Sequence, residues 1–190
     1  YGFDPSTVKT LDDLDEYAAT IKASEPDAVV IYNYGHLIYE NMVNYLGYDV
    51  IVSNTTPGVV YYAAETPVVF NQFESEEFKA LCEKMREWNL AGYFPTDAVT
   101  GADSVGENDI RAIDTDPAHK PGGDITEGQL RGYDITGIAF GDCAMTTGAV
   151  QATITAVSAT SKNVERAVAF INLLDSDPEV LNLICHGIEG

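Results

Sequence analysis

Stretches with helical apolar spacing alternate along this chain with short runs of β-branched residues, and that alternation restricts the fold to an α/β layered type. Leu11, Leu14, Ala18 and Ile21 keep the spacing of one helical face. They follow Thr10, a good N-cap, and the acids Asp12 and Asp13, which suit the positive end of a helix dipole, so a helix is expected over 11–23. Pro26 helps to end it, and Ala28-Val29-Val30-Ile31-Tyr32 then reads as a buried strand. Asn33-Tyr34-Gly35 breaks that strand, and a second helix is expected over 36–46, stopped by Gly47. Residues 48–71 read as β-rich, with strands over 49–52, 59–62 and 68–70. Ser75, Glu76 and Glu77 open the clearest helix, 75–91, with Phe78, Leu81, Cys82, Met85 and Trp88 on one stripe and Gly92 as the stop.

Residues 95–131 are rich in Gly, Asp and Pro and carry one expected strand, 110–114. A long irregular stretch of this kind is often functional. Further strands are expected over 133–140 and 151–158, the second because Ala152, Ile154 and Ala156 alternate with Thr153, Thr155 and Val157. Asn163 is read as the cap of a helix over 164–174, and Asp177-Pro178 as the start of another, with Pro where its missing N–H is harmless. The expected architecture is a three-layer α/β lobe around a central mixed sheet flanked by helices. Strands 28–32 and 151–158 share that sheet and the 75–91 helix covers a face.

Charge and chemistry narrow the function. Lys plus Arg number 10 against 30 Asp plus Glu, a formal charge of −20, so nucleic acid and anionic membranes are poor partners. The apolar runs are too short to span a bilayer. Cys82, Cys143 and Cys185 form no C-x-x-C pair and lack metal spacing, and Cys82 and Cys185 are expected as buried thiols in apolar helix stripes. The sequence holds no G-x-G-x-x-G, Walker loop, G-x-S-x-G or H-E-x-x-H. The loop acids Asp97, Asp103, Asp109, Asp114 and Asp116 match no EF-hand spacing and are read as solvated; neither metal nor cofactor is expected.

Tyrosine is abundant, with 11 residues, seven of them at positions 32, 34, 39, 45, 48, 61 and 62. A tyrosine offers a flat apolar face with a polar tip, which matches the C–H face and hydroxyl rim of a sugar. Ligands in open α/β sheets sit beyond the strand ends. The loop after strand 28–32 therefore supplies candidates: Tyr34 to stack, Asn33 to hydrogen-bond, and His36 beside them.

The last third carries a family resemblance. Ser161-Lys162-Asn163-Val164-Glu165-Arg166-Ala167, then Phe170-Ile171-Asn172-Leu173-Leu174, resembles the "S-K-N-P-E-x-A … F-x-N-x-L" segment of extracellular solute-binding proteins that serve ABC importers. Gly187-Ile188-Glu189-Gly190 is similar to the start of "G-I-E-G-K-H-Y" in the lipoprotein, LipO-like branch of family 1. Val8-Lys9-Thr10-Leu11-Asp12-Asp13-Leu14 resembles "P-K-T-W-E-E-L", with Val8 for Pro and Leu11 for Trp. Lys120-Pro121-Gly122-Gly123 with Tyr133-Asp134-Ile135 resembles "Y-K-P-G … Y-E-V", with His119 at the aromatic position.

The resemblance implies a periplasmic-binding-protein-like (type II) lobe. On that reading 1–190 is one lobe of a two-lobed protein, with 1–145 as the second-lobe body and 146–190 as a crossover strand and final helices. It places Asp114, His119 and Lys120 near the interlobe cleft, makes Thr146, Thr147 and Gly148 a hinge, and lets Gln151 reach the solute. The implied partners are a small-molecule solute, a sugar or oligosaccharide first, then a permease and a first lobe preceding this segment. The implied location is extracellular, with a lipid anchor outside these residues. Two alternatives stay open: a glycoside-acting enzyme with paired loop carboxylates, and a binder of a peptide or another small solute.

Overall fold

The structure, a computed structural model, describes residues 1–32, 45–95, 111–115, 122–139 and 144–188. The chain divides into two compact units, Tyr1–Val150 and Gln151–Gly190.

The first unit is organised around a parallel strand pair. Strand β1 (Val29–Tyr32) pairs with β5 (Arg111–Asp114), and the last partners, Tyr32 and Asp114, bring both strands to an end together. The Ile31 N–H also donates to the Tyr93 carbonyl at 3.0 Å, so the chain leaving the long helix lies along the other edge of β1. Helix α1 (Asp15–Ser24) and helix α2 (Glu76–Leu90) share one core with this pair. Val8, Leu11, Leu14, Ala18, Ile21, Val30, Ile31, Leu81 and Trp88 are its buried members. The α1 and α2 contributions sit at the helical spacings that the sequence displays, because only one face of each helix meets the strands.

Polar contacts fix how α2 meets the start of α1. Trp88 Nε1 donates to Asp15 Oδ1 at 2.6 Å. Lys84 Nζ lies 2.6 Å from Asp12 and 2.8 Å from Asp15. Burial works to lower the Lys84 pKa, but the two carboxylates outweigh it and the net shift is upward. Helix α2 starts where Ser75 Oγ accepts from the Phe78 N–H at 3.1 Å. It ends at Gly92, whose φ of 74° suits a residue without Cβ.

A second, antiparallel sheet orders β2 (Tyr48–Val50), β3 (Gly58–Tyr61) and β4 (Phe70–Asn71). Tyr48 and Val59 are fully buried beneath it. Tyr48 O–H donates to Ser75 Oγ at 2.6 Å and Tyr61 O–H to Glu77 at 2.9 Å, which ties the sheet to the first turn of α2. Helix α3 (Gly123–Arg131) and the short helix α4 (Thr147–Gln151) follow, α4 spanning the boundary between the units. The second unit consists of helices α5 (Val164–Ser176) and α6 (Pro178–His186), which pack on each other. Asp177 caps α6 by accepting from the Glu179 and Val180 N–H groups.

The α/β reading therefore holds, with several corrections. Residues 134–139 and 152–158 are not strands; the second stretch follows α4 as irregular, mostly exposed chain, and strand 28–32 pairs instead with β5. Its Ala and Thr side chains have little apolar area to bury, and no described ladder takes up their backbone groups. Residues 11–14 form a 3-10 turn ahead of α1, where Asp13 Oδ2 accepts from the Lys9 and Thr10 N–H groups and from the Thr10 hydroxyl. Asn163 makes no side-chain cap. Helix α3 falls where no helix was expected, since Gly123 and Gly128 lower helix propensity. Gly128 has a packing reason: a Cβ there would come within 2.9 Å of the Tyr133 carbonyl oxygen. Cys82 and Cys185 are both exposed rather than buried. The expected helix over 36–46 lies mostly outside the described residues, as do Cys143 and the loop acids other than Asp114.

Candidate functional site

The ends of β1 and β5 assemble a compact polar group. Asp114 closes β5, with its side chain about one-third exposed at 35%. Its Oδ1 accepts from the Thr115 N–H at 2.8 Å. Its Oδ2 lies 3.5 Å from Arg111 Nη1 and 3.6 Å from Arg131 Nη2. Arg131, in the last turn of α3, also donates through Nε to Glu127 Oε2 at 3.0 Å. Burial raises the Asp114 pKa, while the Thr115 N–H and the two guanidinium groups pull it back down. The Arg111 guanidinium lies 3.6 Å from the centroid of the Tyr32 ring, a cation–π stack.

This position follows from the fold. Parallel strands present their C-terminal ends to one side, the side on which open α/β sheets take their ligands. Asn33, Tyr34 and His36 continue β1 at that end, and His119 and Lys120 follow β5; all five lie outside the described residues. Of the expected binding residues, Asp114 is placed at the strand ends, and Gln151 is exposed at the end of α4.

The expected hinge residues are also placed. Thr146 is buried at 5% exposure, and its Oγ1 accepts from the Ala149 N–H at 3.2 Å. The Thr147 N–H donates to Asp49 at 2.9 and 3.1 Å, and Thr147 Oγ1 donates to the same carboxylate at 2.8 Å. Asp49 thus caps α4 from a strand 98 residues away in sequence. Among the described residues, no atom outside its own helix and chain neighbours lies within 4 Å of where a Cβ on Gly148 would sit.

The sequence named Tyr32 only as one of seven clustered tyrosines and did not point to Arg111, Arg131 or Asp49. A signal for Arg111 was present: it stands three residues before Asp114 at a strand end, in a chain with only ten basic side chains.

No family model matches the chain. A carbohydrate ABC transporter substrate-binding protein of Streptococcus pneumoniae serotype 4 is 28% identical over 194 aligned residues, covering all of this chain and 38% of that protein. Among solved structures, an N-glycan transport solute-binding protein from Streptococcus pneumoniae, crystallised with Man5GlcNAc, superimposes with a TM-score of 0.69 at 26% identity. The match covers all of this chain and 41% of that one. A second crystal structure of the same protein gives a TM-score of 0.71 at 25% identity over 96% of this chain and 40% of that one. In sequence and fold the chain is similar to solute-binding proteins of ABC transporters. The family resemblance carried by the SKN and GIEG segments stands, and so does the periplasmic-binding-protein-like fold. The chain spans about two fifths of the length of the relatives it matches.

Proposed function

We propose that this chain is part of an extracellular protein that binds a neutral carbohydrate, most simply an oligosaccharide, and delivers it to an ABC importer without changing it chemically. The observation that carries this reading is the whole-length likeness to a protein crystallised with Man5GlcNAc. The polar group at the ends of β1 and β5 supports it, because Asp114 and its arginines supply acceptors and donors where an α/β sheet takes its ligand. On this reading Asn33, Tyr34, His36, Asp114, His119, Lys120 and Gln151 contact the solute. Thr146, Thr147 and Gly148 are the hinge, and Asp49 holds the start of that hinge helix in place. Residues 1–190 form one lobe, further chain supplies the other, and closure buries solute that neither lobe encloses alone. The permease is the protein partner, and a lipid anchor outside residues 1–190 keeps the protein at the outer face of the membrane.

A glycosidase needs two carboxylates set across the bond it breaks. Asp114 is paired with guanidiniums and a backbone N–H, and the neighbouring Glu127 carboxylate is itself held by Arg131, pairings that suit holding hydroxyls. A thermal-shift screen of the protein carrying this chain, run against a sugar panel with mass spectrometry of the recovered ligand, tests the reading. The expected result is an upward shift with a neutral oligosaccharide that is recovered intact. No shift with any sugar, or a shortened glycan, would contradict it.

A further inference from the structure

Arg111 begins β5, yet its side chain runs along the strand to the Asp114 end and is only 9% exposed. Its Nε is buried and has no hydrogen-bond partner among the described residues. A guanidinium carries five N–H donors, and the described contacts of Arg111 use one of them. Asp114 Oδ2 is shared between Arg111 and Arg131 at 3.5 and 3.6 Å, both longer than the roughly 2.7–2.9 Å of a strong charge-assisted hydrogen bond. Acceptor capacity on Oδ2 and donor capacity on Arg111 are therefore left side by side at the strand ends. Stacking on Tyr32 fixes the plane of the guanidinium and also covers one face of that ring, so the covered face is closed to a sugar.

Neighbouring hydroxyls of a neutral sugar fit this pair, since each can donate one hydrogen bond and accept others. We infer that Arg111 is a specificity residue: its free N–H groups donate to one sugar hydroxyl while Asp114 Oδ2 accepts from the adjacent hydroxyl, and Tyr32 holds the guanidinium in register. The inference rests on the proposed carbohydrate-binding function and names the contacts that select the sugar.

The test is calorimetric titration of the protein carrying this chain with Man5GlcNAc and with a series of its mono-deoxy analogues. Wild type should lose about tenfold or more in affinity for the analogues that lack either contacted hydroxyl, as expected for a hydrogen bond to a charged group. In Arg111→Met the parent glycan should bind about tenfold more weakly, and the deoxy penalty at the Arg111-bound position should vanish. Arg111→Lys, which keeps the charge but loses the fork, should fall between. Should Arg111→Met not fold, Asp114→Asn gives the same cycle at the adjacent hydroxyl. Equal deoxy penalties in wild type and variant would overturn the inference while leaving glycan binding intact, because a purely structural arginine lowers affinity without changing which hydroxyls are read. No binding of any glycan by wild type would overturn the carbohydrate reading itself.

Discussion

Helices α2 and α5 carry similar amphipathic stripes, but only the first has its stripe covered. Leu81 and Trp88 in α2 are 3% and 2% exposed, against α1 and β1 in the first unit. In the second unit Val164, Val168, Phe170 and Leu173 of α5 and Leu181, Leu183 and Ile184 of α6 are all exposed, and no described residue of that unit is buried. An apolar spacing of 3.6 thus encodes a helix and a face, while burial depends on what packs against that face. The cysteines carry the same lesson in both units, because membership of an apolar stripe did not predict burial for either Cys82 or Cys185.

The contrast is broken most decisively by core truncation. Trp88→Ala should cost about 3–5 kcal/mol in urea denaturation, since it empties a filled site and removes the indole donor from Asp15 Oδ1, leaving Lys84 on Oδ2. Leu173→Ala in α5 should cost about 0.5 kcal/mol or less. Comparable losses at the two positions would erase the difference between the units.

A smaller effect is expected at the α4 clamp. Asp49→Ala removes the acceptor of three hydrogen bonds from Thr147 and should cost about 1 kcal/mol, with Thr147→Val recovering part of the same loss in a double-mutant cycle. Additive losses would show that the clamp does not hold.

The two thiols compare the units directly. Both should react with a maleimide in the native protein without denaturant, Cys82 the more slowly at neutral pH because burial pushes its thiol pKa up. Protection of both thiols until unfolding would restore the buried reading.

The smallest effect is spectroscopic. The hydrogen bond to Glu77 pushes the Tyr61 hydroxyl up to about 12. A folded-state pKa above the unfolded one means the contribution to stability is fully present below the ordinary tyrosine range near 10 and is lost as pH rises through about 12. Glu77→Gln should bring the phenolate absorbance change to lower pH; an unmoved titration would remove that contact.

What could be read from the chain follows the same physics. Local signals with their own mechanism were legible: the Ser75 start, the Asp177-Pro178 start, the Gly92 stop and the β-branched run of β1. Signals that need a partner were not. The alternation at 152–158 suits a strand only if another strand pairs with it, and helix α3 forms despite its glycines because Gly128 admits the Tyr133 backbone. At the site, Asp114 came from the family resemblance, which implies a place near the interlobe cleft, and the fold sets it at the end of β5. The roles of Tyr32, Arg111 and Arg131 depend on three segments meeting at one strand end, and the role of Asp49 on a contact spanning 98 residues.

Backbone hydrogen exchange with and without saturating Man5GlcNAc tests most directly the claim that the strand ends of the first unit receive the solute. Added protection should concentrate at the C-terminal ends of β1 and β5 and at Thr115, leaving the antiparallel sheet β2–β3–β4 unchanged. Protection confined to that antiparallel sheet, or none at a glycan concentration that saturates binding, would contradict the account.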